Sequence, residues 1–376
     1  MQLPSIGVLG GGQLGRMLLQ AGLNLDVTFH MLDPDAQAPC HELTPHFTHG
    51  SLTDPDTVRQ FGQAVDLVTI EIENVSTDAL EHLQQAGKRV FPQPQVIRLI
   101  QDKRLQKQFY QQHGIPTADF ILTENRADAA QYADFLPAFH KLGREGYDGR
   151  GVQRLTSAAD LPKAFDAPGL LEKLVDFEKE IAVIVARNER GEVSTFPPVE
   201  MVFHPEHNLV EYLYAPARID EAVAAEADRL AKKLITALDM VGLLAVEMFV
   251  DKSGQVLVNE VAPRPHNSGH HTIEANATSQ YEQHLRAILN LPLGPTDTIR
   301  PAAMVNLLGE PGHTGPAHYE GLNDVLAMEG VHVHLYGKKL TKPFRKMGHV
   351  TIVDSDPERL WSKAEKVKNI LKVITL

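Results

Sequence analysis

The stretch LLAVEMFVDKSGQVLVNEVAP, Leu243–Pro263, reads as two apolar strands joined by a polar turn at Asp251–Gly254. If the chain turns about Ser253-Gly254, residues equidistant from the turn face each other, and Glu247 opposes Glu260 on one face. Facing side chains have Cβ atoms roughly 4.5–5.5 Å apart, and like charges there repel. Two carboxylates set into otherwise apolar strands therefore require a cation. With the amide oxygen of Asn259 they suit Mg2+, which takes oxygen ligands and keeps positions for a substrate's phosphates. The bland alternative is that one Glu faces solvent on an edge strand.

Working outward, APRPHNSGHHTIEA (262–275) follows the second strand directly. Three histidines, His266, His270 and His271, invite a zinc reading. They lack a convincing ligand set, and Cys40 is the only cysteine in the chain. Hydrogen bonding to an anionic substrate through Arg264, His266 and Asn267 is the better expectation, with an ordinary polar loop as the alternative. Before the hairpin, IDEAVAAEADRLAKKLITALDM (219–240) places Val223, Ala227, Leu230, Leu234 and Leu238 on one helical face. PAFHKLG (137–143), GLLEKLV (169–175) and EIAVIVARNERGEVSTFPPVEMVF (180–203) read as strands, the last with a hairpin turn at Asn188–Gly191. This middle region is α+β.

Within it, HKLGREGYDGRGVQRL (140–155) puts Gly146, Gly149 and Gly151 in a loop after the strand that carries Lys141. Backbone N–H groups of such a loop can close over phosphates beside a lysine. An ordinary hairpin turn is equally compatible. In EKLVDFEKE (172–180), a short strand or strand end, Glu172 is placed to accept from an adenine amino group. Lys173, Leu174 and Val175 would offer backbone to the ring edge, and Glu180 would take ribose hydroxyls. A solvated charge run is the default reading there. HLYGKKLTKPFRKMGHVT (334–351) gathers Lys338, Lys339, Lys342, Arg345 and Lys346, a basic cluster suited to phosphate or simply a solvated face.

The first hundred residues alternate strand and helix, which predicts a small parallel sheet with crossover helices. SIGVLG (5–10), VTFHMLD (27–33) and LVTIEIE (67–73) are the strands. GVLGGGQLGRMLLQ (7–20) carries Gly10-x-Gly12-x-x-Gly15, the spacing of a dinucleotide fingerprint, with Asp33 ending the next strand. FPQPQVIRLIQDKRLQKQFYQQHGIP (91–116) reads as a turn and one long connecting helix that Gly114 and Pro116 end. After residue 300, VHVHLYG and GHVTIVD read as strands, and Asp356-Pro357 starts a helix.

Size and composition are consistent with this division. The chain has 376 residues and 43% hydrophobic content, enough for two or three domains. A net charge of −12 argues against nucleic acid or an anionic membrane as the main partner. No apolar run approaches a membrane span, and no basic-then-apolar leader opens the chain. The expectation is a soluble cytoplasmic protein.

GGGQLGRM, EIENV (71–75), GYDGRG, EKLVDFEKEIAVIVARN, VNEVAPRPHNSGHHTIEA and GKKLTKPFRKMGHVT occur in this order along the chain. In this the sequence resembles the 5-(carboxyamino)imidazole ribonucleotide synthetase family of ATP-grasp enzymes in purine biosynthesis, over essentially its whole length. HNSGHHTIEA and RKMGHVT are particular to that family, whereas the glycine loop and the Glu…Asn-Glu pair belong to ATP-grasp enzymes generally.

The resemblance implies a Rossmann-like pre-ATP-grasp domain (1–102), an ATP-grasp domain (103–300) and a small C-terminal domain (301–376). It implies ATP, bicarbonate and 5-aminoimidazole ribonucleotide (AIR) as substrates, Mg2+ or Mn2+ as metal, and a homodimer. Carried over by motif, Lys103, Lys141, Glu172, Lys173, Leu174, Val175, Glu180, His204, Asn259 and Glu260 would contact ATP. Gly146, Tyr147, Asp148, Gly149, Arg150 and Gly151 would form the lid over its phosphates. Glu247, Glu260 and Asn259 would hold the metal. Gly12, Gln13, Leu14, Glu73, Asn74, Arg264, His266, Asn267, Lys338 and Arg345 would bind AIR, with Tyr147 and Asp148 helping from the lid. Two departures stand out: Glu145 where the lid often has a second glycine, and Phe344 where the last motif often has Gly.

The implied chemistry needs no Ser-His-Asp or Cys-His set. Bicarbonate attacks the γ-phosphate to give carboxyphosphate, which the amine of AIR then attacks; Arg264, with Glu247 and Glu260, would serve the reacting atoms. Other readings are a sister ATP-grasp ligase of the formate-dependent glycinamide ribonucleotide transformylase or biotin carboxylase type, an NAD-dependent dehydrogenase, and a catalytically dead nucleotide-binding regulator. The dehydrogenase reading leaves Glu247, Glu260 and GYDGRG unexplained. The opening glycines are therefore expected to face a ribonucleotide phosphate at a helix N-terminus.

Overall fold

The computed structural model describes residues 3–144, 146, 151–203 and 210–376. Alternating strands and helices open the fold: β1 (Ile6–Leu9), α1 (Gln13–Leu23), β2 (Phe29–Asp33), β3 (Phe47–His49), α2 (Pro55–Gln63), β4 (Leu67–Ile70), α3 (Thr77–Gln85) and β5 (Arg89–Val90). The strands form a parallel sheet in the order β3-β2-β1-β4-β5. Its central strands, β1 and β4, are fully buried, as a parallel sheet requires. The strand expected over 67–73 stops at Ile70. Glu71 turns out of the sheet toward α1, for a reason given below.

The connector is two helices, not one: α4 (Pro94–Ile100) and α5 (Lys103–Gln112). Asp102 separates them. Its extended backbone ends the first helix, and its carboxylate accepts from the Arg104 N–H at 3.0 Å, capping the second. Propensity alone favoured continuation; the cap decides otherwise. The break starts α5 at Lys103.

A four-stranded antiparallel sheet follows, in the order β6-β9-β7-β8, from β6 (Phe120–Thr123), β7 (Ala138–Leu142), β8 (Val152–Leu155) and β9 (Gly169–Lys173). The large antiparallel sheet contains β10 (Phe177–Arg187), β11 (Val193–Thr195), β12 (Val199–Phe203), β13 (Val210–Ala215), β14 (Gly242–Asp251), β15 (Val256–Ala262) and β16 (Ala302–Leu308). β17 (Val331–Leu335) and β18 (Lys346–Val353) complete it. Its order is β15-β14-β10-β12-β13-β16-β18-β17, with β11 paired to β10. The sheet thus runs through residue 301 without interruption.

Helix α6 (Glu221–Ala237) covers one face of this sheet. Ala227, Leu230, Ala231 and Leu234 pack on Ile181, Val183, Leu244, Val246 and Met248, with Val223 and Leu238 at the margins. Leu230 and Leu234 have no exposed surface; burial of each contributes roughly 2 kcal/mol. The opposite face of β10 and β14, which presents Glu180, Glu247 and Phe249, is left for the site. Helices α7 (Gln280–Ile288) and α8 (Pro357–Ile370) close the ends. Tyr281, Leu285 and Ile288 of α7 pack on Met17 and Leu18 of α1, joining the first sheet to the rest.

Candidate active site

β14 and β15 pair as expected at the decisive point: Glu247 stands directly opposite Glu260. The register then shifts. Met248 faces Val258, so Asn259 is a bulge residue beside the two carboxylates. A regular hairpin would have placed Asn259 across from Met248, facing away; the bulge re-aims it. Lys103, at the first turn of α5, puts its ammonium 2.6 Å from Glu260 Oε2. Burial and the neighbouring Glu260 push Glu247 well above the usual carboxylate range, whereas Lys103 holds Glu260 below it. Two facing carboxylates and an amide oxygen form an all-oxygen set that lacks one positive charge, and such a set fits Mg2+ or Mn2+. Among the described residues no group of three His, Cys, Asp or Glu side chains has metal-site geometry.

Glu172, at the end of β9, is 3% exposed. The charge run that would by default be solvated is therefore split into a strand end and the start of β10, with its first carboxylate inside the protein. Lys141 lies 2.5 Å from Glu172 Oε1 and Lys107 lies 2.5 Å from Oε2. Both acceptor oxygens expected to face adenine are thus held by lysines. Lys141 also reaches Asn259 Oδ1 at 3.5 Å. Lys173 donates to Phe135 O at 2.8 Å, so its side chain leaves the cleft, and Leu174 and Val175 follow it half-buried. Glu180 sits on the site face of β10, its carboxyl pushed up to about 7 by burial. β7 and β8, the strands on either side of GYDGRG, pair antiparallel. Leu142 N donates to Gly151 O at 2.9 Å, and Gly151, at φ +69°, closes on Gly146, where a Cβ would lie 3.0 Å from the Gly146 Cα. Glu145, Tyr147, Asp148, Gly149, Arg150 and His204 lie outside the described residues.

Arg264, just past β15, places Nε 2.9 Å from Glu73 Oε1, so two expected AIR residues from different domains meet. His266 Nε2 is 3.4 Å from Glu247 Oε1. Burial, with Arg264 and Lys346 nearby, pulls this imidazole down to about 3, so it is neutral at neutral pH and this approach is no ion pair. Gln280 fixes the loop by bonding the His266 N–H and C=O, each at 2.8 Å. Asn267 exchanges two amide hydrogen bonds with Asn306 of β16, at 2.8 and 3.1 Å.

Several expected ligands point elsewhere. Lys338 donates to Lys346 O at 2.7 Å, and Arg345 donates to Leu340 O at 2.7 Å; both head groups secure the turn they occupy. Phe344 adopts φ +64°, the left-handed conformation that a glycine takes without strain. The glycine loop differs most. Glu71 accepts from Gly12 N at 2.5 Å and Leu14 N at 3.2 Å, and Asp33 accepts from Gly11 N at 2.6 Å. A Cβ at Gly12 would stand 2.4 Å from Glu71 Oε1. The donors expected to meet a substrate phosphate are filled by the protein's own carboxylates. Gln13 lies half-buried in the same turn, and Asn74 is exposed.

Three residues of the site escaped the sequence reading, and a fourth, Lys346, was read only as one member of a basic cluster. Lys107 had a signal, one helical turn after Lys103 on the same face. Lys346 lay within a recognised basic stretch, and its charge bears on Glu247 and His266. Glu71 sat inside EIENV. Asn306 had no signal, because its role depends on a partner 39 residues away.

Comparisons with known proteins agree with this fold. Residues 3–101 match the ribonucleotide synthetase preATP-grasp domain, 108–281 the ATP-grasp domain, and 302–363 the phosphoribosylaminoimidazole carboxylase C-terminal domain. The chain is 37% identical over 363 residues to N5-carboxyaminoimidazole ribonucleotide synthase of Bacillus subtilis, covering 95% of this chain and 93% of that one. It is 37% identical to the longer phosphoribosylaminoimidazole carboxylase of Saccharomyces cerevisiae, covering 94% of this chain and 64% of that one. The crystal structure of N5-carboxyaminoimidazole ribonucleotide synthetase from Thermotoga maritima superposes with a TM-score of 0.91 at 40% identity, covering 100% of both chains. The Aspergillus clavatus enzyme in complex with ADP and 5-aminoimidazole ribonucleotide does so with 0.89 at 34%, covering 98% of each. Matched along its whole length in sequence and in fold, the chain belongs to the N5-carboxyaminoimidazole ribonucleotide synthase family of ATP-grasp enzymes.

Proposed function

We propose that this protein carboxylates AIR with bicarbonate at the expense of ATP, giving 5-(carboxyamino)imidazole ribonucleotide, ADP and phosphate. The observation that carries the reading is the gathering of Glu247, Glu260 and Asn259 beside Lys103 and Lys141, with Arg264 and His266 in the loop just past the end of β15. Lys103 and Lys141 are placed for the nucleotide's phosphates. Mg2+ or Mn2+, held by Glu247, Glu260 and Asn259, would supply neutralisation of phosphate charge.

A bicarbonate oxygen bonds to the γ-phosphorus while the bond to the bridging oxygen of ADP breaks. Arg264 offers guanidinium N–H groups to the bicarbonate and then to carboxyphosphate. The amine nitrogen of AIR next bonds to the carboxyl carbon, phosphate departs and the amine loses a proton. His266, being neutral, can accept a hydrogen bond in that neighbourhood. Water must be kept from carboxyphosphate.

Bicarbonate as the carboxyl source and the homodimer rest on the family resemblance, and the cytoplasmic location on the sequence reading. No described helix is long and apolar enough to cross a membrane. The deciding experiment is ADP release with Mg-ATP and bicarbonate, with and without AIR, in the native protein and in Glu260→Gln. AIR-dependent turnover that the substitution abolishes is expected. Turnover indifferent to AIR but raised by glycinamide ribonucleotide or biotin would reassign the protein to a sister ligase.

A further inference from the structure

The buried carboxylate of Glu172 has two lysines, and they are not equivalent. Lys107 is 4% exposed. Besides Glu172 Oε2, its ammonium donates to Thr117 Oγ1 at 2.5 Å, and that hydroxyl donates to Val258 O at 2.7 Å. The Tyr110 ring lies 5.9 Å away on another side. Lys107 is therefore tied to the framework of α5 and β15. Lys141 instead has Glu172 Oε1 on one side and Asn259 Oδ1, next to Glu260, on the other. It stands toward the cleft.

We propose that Lys107 is a positioning residue for the nucleotide site, holding the Glu172 carboxylate in place when Lys141 turns to the nucleotide's phosphates. This inference rests on the nucleotide reading of the cleft. With Lys141 as sole partner, its departure would leave a carboxylate buried and uncompensated, a strongly unfavourable state. That cost would be subtracted from nucleotide affinity. With Lys107 fixed behind it, Glu172 keeps a counter-charge throughout, and Lys141 is free to serve the ligand. Burial, with Lys141 and Lys103 nearby, pulls the Lys107 ammonium down, and Glu172 acts against it.

The test is calorimetric titration of the full-length protein with Mg-ADP and, separately, with AIR, neither of which needs turnover. Lys107→Met should weaken ADP binding at least about tenfold and leave AIR binding within about twofold, and Lys107→Arg should recover most of the loss. In a Glu172→Gln background, where no charge needs holding, Lys107→Met should change ADP affinity by less than about twofold. Should the methionine variant fail to fold, Lys107→Gln, which keeps a donor for Thr117 without the charge, supplies the same comparison. Unchanged ADP affinity, or an equal loss with and without Glu172, overturns the inference. Native turnover indifferent to AIR would sink the carboxylation reading and leave the Lys107 result standing.

Discussion

The carboxylate of Glu71 accepts a hydrogen bond from the backbone N–H of Gly12 at 2.5 Å, so a side chain of this protein occupies the place a bound phosphate takes in a dinucleotide fold. All three fingerprint glycines serve that contact. A Cβ at Gly10, Gly12 or Gly15 would lie 2.8, 2.4 or 2.8 Å from an atom of Glu71. The fingerprint spacing is real, but its ligand is internal. Anchoring Glu71 to α1 also turns the chain out of β4, which brings Glu73 to Arg264.

Glu71 gives the fold a pH dependence. Burial raises its carboxyl from 4.5 to about 7, against the pull of the loop N–H groups. A carboxyl raised on folding contributes stability that is full below about pH 4.5 and is lost as pH rises through about 7. The loss is at most about 3 kcal/mol, less what its partial exposure screens. Thermal melts of the native protein and Glu71→Gln at about pH 5 and pH 8 should show the native advantage shrinking at the higher pH. A pH-independent difference would show that Glu71 does not titrate in this range.

Gly12→Ala should destabilise the protein by about 2 kcal/mol, because the new methyl meets Glu71 Oε1 and neither group can withdraw without breaking the loop's hydrogen bonds. In a Glu71→Ala background the same substitution should cost far less. Denaturant unfolding of the four proteins measures the coupling, and simple additivity would contradict the contact.

Glu73→Gln removes the charge facing Arg264 Nε at 2.9 Å. If the pair orients the guanidinium for bicarbonate, KM for bicarbonate should rise about tenfold while KM for ATP stays within about twofold. Steady-state kinetics with each substrate varied separates the two, and an equal rise in both would assign Glu73 a general structural role.

Asn306→Asp keeps the shape of the side chain but removes both N–H donors, which serve Asn267 Oδ1 and Val210 O. Unpaired acceptors at this nearly closed site should lower stability by roughly 1–3 kcal/mol. Loosening Asn267 should raise KM for AIR more than KM for ATP. An unaltered KM for AIR would mean that Asn267 acts without its partner.

Much of this protein was legible in its sequence because the deciding signals are local. The Glu247–Glu260 opposition follows from strand period and turn position, Gly114 and Pro116 end a helix, and the family motifs are contiguous runs. Burial of the α6 face likewise follows from helical period. What the sequence could not decide depends on which distant group reaches a site first. Asp102 breaks a helix by a cap, and a bulge at Asn259 takes its amide out of the regular register to where Lys141 reaches it. Glu71 claims backbone donors 57 and 59 residues away before any ligand does, and Lys107 and Lys141 divide one carboxylate. Period and propensity act over a few neighbouring residues, whereas the pairing of buried charges and N–H groups is settled only when the packed chain has excluded water from them.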